Sequence, residues 1–76
     1  MLSLFKRKQK KQVLKDLYGV PLATNDWVNC LRYNMGRSQL KENEEGYYYQ
    51  SEQSGEEVPW FKMIDAISGN QKVEKV

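Results

Sequence analysis

Histidine is absent from the chain, and cysteine occurs once, at Cys30. The first absence removes the commonest general base and the commonest metal ligand. The second excludes an intrachain disulfide and a four-cysteine metal site, and it points to a reducing compartment. A lone cysteine between apolar neighbours reads as a small buried hydrophobe. No apolar run is long enough to cross a bilayer. Met1–Phe5 is too short for a signal-peptide core, and its charges follow it rather than precede it. There is no phosphate-binding glycine loop, nucleophile elbow, EF-hand loop or metal-ligand cluster. These absences lead us to expect a cytoplasmic, non-catalytic protein with no metal and no cofactor.

Acidic residues are missing from the start of the chain. Residues 1–15 carry Lys6, Arg7, Lys8, Lys10, Lys11 and Lys15 and no carboxylate, a charge of +6. Residues 16–76 carry six basic and ten acidic residues, a charge of −4, which leaves the chain at +2. Such segregation is the pattern of a basic arm on a separate body. Cations that neutralise phosphates release counterions, so the arm is expected to bind DNA or RNA without sequence selectivity. Arg32 and Arg37 are the residues of the body expected to extend that surface. Leu2, Leu4 and Phe5 precede the basic run, and an apolar wedge beside a polybasic run also suits an anionic membrane surface.

At 76 residues the chain is one small domain. The apolar spacing predicts an α+β fold of about three helices with a short β-hairpin or strand, winged-helix-like in outline. Residues 1–12 read as a basic flexible arm, 13–69 as the compact domain and 70–76 as a loose C-terminal tail. A first helix is expected over 6–18, with Val13, Leu14, Leu17 and Tyr18 on one face and Gly19 as its stop. A second is expected over 24–35, with Trp27, Val28, Leu31 and Met35 as its buried stripe. Residues 38–45 suit a short third helix or a charged loop anchored by Leu40. Tyr47–Gln50 has strand propensity, with Tyr47 and Tyr49 on one face and Tyr48 on the other. Residues 58–67 fit a strand, or a helix with Pro59 at its first position and Trp60, Met63, Ile64 and Ile67 at helical spacing. The helix is preferred because the spacing runs on to Ile67 and Gly69 follows. A mixture, with Val58 ending a strand and Pro59 starting a helix, is the intermediate case. Leu17, Trp27, Leu31, Trp60 and Ile64 are expected at the centre of the core.

Two further patterns bear on function. The glycine turn between the first two helices has a helix-turn-helix outline, with Asn25, Asn29, Arg32 and Tyr33 offered to DNA. Lys15 stands where that motif wants a small residue, and Asn25 where it wants an apolar one. The run Tyr47, Tyr48 and Tyr49 lies between Glu42, Glu44 and Glu45 on one side and Glu52, Glu56 and Glu57 on the other. Those carboxylates repel phosphate, whereas aromatic enrichment is characteristic of protein interfaces. The alternative to nucleic-acid binding is therefore a protein-interaction module or inhibitor, acting on a partner or on a second copy of the chain. Exposed neighbouring glutamates lack the burial that tunes a catalytic pKa. Small size, a polybasic start and missing catalytic residues together suit a regulatory accessory protein of a phage or mobile element.

Overall fold

The computed structural model describes residues 13–76. The arm 1–12, with Lys6, Arg7, Lys8, Lys10 and Lys11, lies outside the described residues. The described residues form five strands: β1 (Trp27–Cys30), β2 (Gly36–Asn43), β3 (Gly46–Ser51), β4 (Glu57–Pro59) and β5 (Val73–Lys75). They make one sheet in the order β4-β3-β2-β1-β5, with every neighbouring pair antiparallel. Among the described residues one 3-10 turn, Trp60–Met63, links β4 to the approach to β5.

This architecture overturns the α+β expectation, and with it the helix-turn-helix and winged-helix outlines. Among the described residues there is no α-helix. Alternation, with a period of two residues, decides which side chains are buried. Val28 and Cys30 of β1 are buried, while Trp27 and Asn29 face the other way. Ser38 and Leu40 of β2 and Tyr49 and Ser51 of β3 join them in register, through Val28 opposite Ser38 and Leu40 opposite Tyr49. Val58 of β4 and Val73 of β5 complete that face. Leu14, Leu22, Met35 and Met63 cover it from the connecting segments.

Each expected helix fails for a local reason. The stripe over 24–35 is broken where Tyr33, Asn34 and Gly36 take φ of +64°, +56° and +65°, the left-handed values of a turn. Leu31, which belonged to that stripe, is exposed. The described end of the 6–18 helix is an antiparallel pair instead, with Lys15 bridged to Pro21. Residues 58–67 form no α-helix. Val58 and Pro59 end β4, a 3-10 turn of four residues follows over Trp60–Met63, and the backbone is extended again at Ile64, at φ −76° and ψ 130°. Ile67 is 96% exposed, so the helical spacing that reached it was coincidental. The expected centre is likewise displaced: Leu17, Trp27, Trp60 and Ile64 are only half-buried. Residues 70–76 are no loose tail, because β5 pairs with β1 and Val73 is fully buried. The strand expected over Tyr47–Gln50 is present as β3.

Asp16 ties the first described segment to the last strand. Its Oδ1 accepts the backbone N–H of Tyr18 and of Val20, both at 2.9 Å, and its Oδ2 accepts the N–H of Lys75 at 3.0 Å. The residue is almost completely buried. Burial alone would push the carboxyl up, but the backbone donors of Lys75, Val20 and Tyr18 outweigh it and hold the group below the usual carboxylate range. The same segment covers the outer edge of β5, where the N–H of Leu17 donates to the Val73 carbonyl at 2.9 Å. That contact removes one free sheet edge.

A candidate aromatic cleft at the hairpin tip

The β2–β3 hairpin closes through Glu44 and Glu45, with Asn43 paired to Gly46. The Asn43 side chain accepts the Glu45 N–H at 2.8 Å, a side-chain turn of the kind asparagine favours. Gly46 takes φ +121°, and a Cβ there would meet Trp60 Nε1 at 3.9 Å, an ordinary contact. Backbone conformation rather than crowding therefore calls for glycine.

The pleat then sends Tyr47 to the inner face, where it packs half-buried on the core beside Trp60. Tyr48 points to the opposite face, between Lys41 of β2 and Pro59 of β4. Pro59 ends β4, since it has no N–H to offer a further strand. The chain turns there, which sets the Trp60 and Phe61 rings edge to face, with centroids 6.0 Å apart and planes at 87°. Phe61 is 58% exposed, an unusual exposure for a phenylalanine so close to a core.

These residues enclose a cleft of about 140 Å³, lined by Tyr47, Tyr48, Pro59, Trp60 and Phe61, with Asn43, Glu45 and Gly46 on the hairpin side. Ligand pockets for small molecules run to roughly 300–1,000 Å³. A cleft under half the lower figure is of a size for one side chain. The Tyr47 and Tyr48 hydroxyls and the Trp60 indole N–H have no hydrogen-bond partner among the described residues. Glu44 and Glu45 are exposed beside them and form no ion pair among the described residues. The cleft thus offers ring faces, free polar tips and negative charge.

Of the three tyrosines singled out as interface residues, Tyr47 and Tyr48 line the cleft. Tyr49 is fully buried, with its hydroxyl donating to Gln71 Oε1 at 2.7 Å, so its part is core packing. Pro59, Trp60 and Phe61 complete the site and were not anticipated as functional. A signal was present in the strand reading of 58–67, where consecutive side chains face opposite ways and one of Trp60 and Phe61 points away from the core.

The described cations of the expected nucleic-acid surface sit on three different elements. Arg37, on β2, stacks over the Trp27 ring at 4.4 Å and pairs with Glu52 at 3.6 Å. Arg32, in the β1–β2 loop, donates to the Lys62 carbonyl at 3.0 Å. Lys15 lies beside the approach to β5, where its carbonyl accepts the Gln71 N–H at 2.8 Å. Among the described residues no group of three or more Cys, Asp or Glu is placed to hold a metal ion. No described helix is long and apolar enough to cross a membrane. No family model matches the chain, and no curated protein or solved structure matches it.

Proposed function

We propose that the protein is a non-catalytic interaction module whose aromatic cleft captures a basic side chain on an exposed segment of a partner protein. The observation that carries this reading is the meeting of Tyr47, Trp60 and Phe61 with the Glu45 carboxylate, which forms no ion pair among the described residues and has Glu44 next to it in the chain. Ring faces attract a cation placed over them, and a nearby carboxylate adds to that attraction. The same carboxylates oppose phosphate, so the cleft selects a cation over a nucleic acid. The Trp60 indole N–H and the Tyr47 hydroxyl, without hydrogen-bond partners among the described residues, suit the backbone carbonyls of the segment that carries the cation. Aromatic residues with a polar tip are the usual anchors of such contacts.

The test is selection of random twelve-residue peptides displayed on phage against the full chain. Enriched peptides should carry lysine or arginine. Phe61→Ala and Glu45→Lys should each weaken them at least ~10-fold, equivalent to about 1.4 kcal/mol. Both side chains are exposed, so folding is preserved. Peptides that bind both variants as well as the parent would refute the cleft as the site.

A second reading rests on the arm. Residues 6–15 hold six cations and no acid, which favours a polyanion such as DNA or RNA. Its affinity should fall steeply with salt and vanish on charge reversal of Lys8, Lys10 and Lys11. An unchanged mutant would end this reading. Both readings place the protein in the cytoplasm, in keeping with a single, buried, free cysteine.

A further inference from the structure

The 3-10 turn leads from the cleft, where Glu45 lies, to Lys62 and Arg32, so a ledge along it has opposite charge at its two sides. Trp60 begins the turn beside Gly46 at the acidic hairpin tip. Lys62, two residues on, is held by the β1–β2 loop. Its carbonyl accepts Arg32 Nη1 at 3.0 Å and the Tyr33 hydroxyl at 3.2 Å. One carbonyl has two lone pairs and accepts both donors. Tyr33 makes its bond from φ +64°, a conformation aromatic residues seldom adopt. The latch thus holds a second exposed aromatic at the turn: Tyr33 is 48% exposed, and its hydroxyl lies on the carbonyl of the residue after Phe61. The Lys62 ammonium and the remaining guanidinium N–H groups of Arg32 have no carboxylate partner among the described residues.

We infer that this ledge reads an extended peptide with a direction, taking a basic residue at Glu44 and Glu45 and an acidic residue at Arg32 and Lys62, with Phe61 and Tyr33 between. The inference rests on the proposed capture of a basic side chain and adds the second charge. The motif is therefore a basic and an acidic residue at a fixed separation along one extended segment. Like charge at either end opposes the wrong sequence, so the polarity supplies selectivity beyond attraction to cations.

The experiment uses the peptides selected on the full chain, resynthesised with a fluorescent label, and measures their affinity by anisotropy. The expected result is an acidic residue at a constant separation from the basic one. Replacing that acidic residue by lysine should weaken binding to the parent protein at least 10-fold. Lys62→Glu should weaken the original peptide and restore binding of the lysine-substituted one. Lys62 is exposed and its carbonyl is unchanged in this variant, so the latch persists. Arg32→Gln is the second variant and should weaken the original peptide without reversing preference. Selected peptides with basic residues alone, indifferent to Lys62→Glu, would overturn the polarity and leave the capture reading intact. Peptides indifferent to Phe61→Ala and Glu45→Lys as well would overturn both.

Discussion

Replacing Asp16 by alanine removes the acceptor of three backbone N–H groups at once, those of Tyr18, Val20 and Lys75. Hydrogen bonds to a charged group contribute about 1.5–3 kcal/mol each, and a buried donor left unpaired costs about 1–3 kcal/mol. Tyr18 and Val20 are exposed, so water recovers much of their loss. The Lys75 bond joins residues 59 apart and holds β5 to the first described segment. Counting that bond in full and the other two at well under half gives a loss of about 3 kcal/mol. A domain of this length holds only about 4–11 kcal/mol in total. The expected fall in Tm is about 12–24 °C.

Urea and thermal unfolding followed by circular dichroism measure the loss directly. Asp16→Asn should fall between the parent and alanine. Its oxygen still accepts from Tyr18 and Val20, but its amide meets the Lys75 N–H donor to donor. Acid supplies an independent check. The folded carboxyl sits below its ordinary value of 3.8, so the unfolded state binds the proton more tightly. This contribution is complete above about pH 4 and is lost as pH falls through the folded value. The gap between parent and Asp16→Asn should therefore narrow below pH 4. A loss under about 1 kcal/mol in Asp16→Ala, with no narrowing in acid, would refute the reasoning.

Three other outcomes follow from the core. Tyr49→Phe leaves the buried Gln71 Oε1 without its donor and should cost about 1–2 kcal/mol in urea unfolding at unchanged slope. Burial also pushes the Tyr49 phenol well above its usual range, so alkaline titration should leave it un-ionised until the protein unfolds. Burial likewise pushes the Cys30 thiol up, against a smaller opposing effect of its hydrogen bond with Ser38. Labelling by a thiol reagent should therefore be slow in the folded protein and should track global unfolding. Rapid labelling under native conditions would show that β1 and β5 open locally.

Much of the difficulty of reading this chain lies in its small polar core residues. Ser38 and Ser51 occupy inner positions opposite one another, and both are buried. Their hydroxyls are satisfied by the Gly36 and Met35 carbonyls at 3.2 and 2.8 Å, so their burial carries little cost. In a sequence, serine at those positions hides the apolar alternation of β2 and β3. Strand β1 is only four residues long, too short for its alternation to outweigh the helical spacing of Trp27, Val28, Leu31 and Met35. Trp60, Met63 and Ile64 share a spacing that a helix and a 3-10 turn followed by a strand both permit. In each case local periodicity was ambiguous and long-range pairing resolved it.

The sequence by itself determined the segregation of charge, the single cysteine, the lack of histidine and the placing of Tyr47 and Tyr48 on opposite faces of a strand. These are properties of composition and of the pleat, and they need no distant contact. Tertiary structure alone decided that Tyr49 is core, that Arg37 is spent on Trp27 and Glu52, and that residues 73–75 are a strand. It alone brought Trp60 against Gly46, and Arg32 and Tyr33 onto the Lys62 carbonyl. The physical reason is that an antiparallel sheet joins residues far apart in the chain, while each partner's own sequence records only its half of the contact.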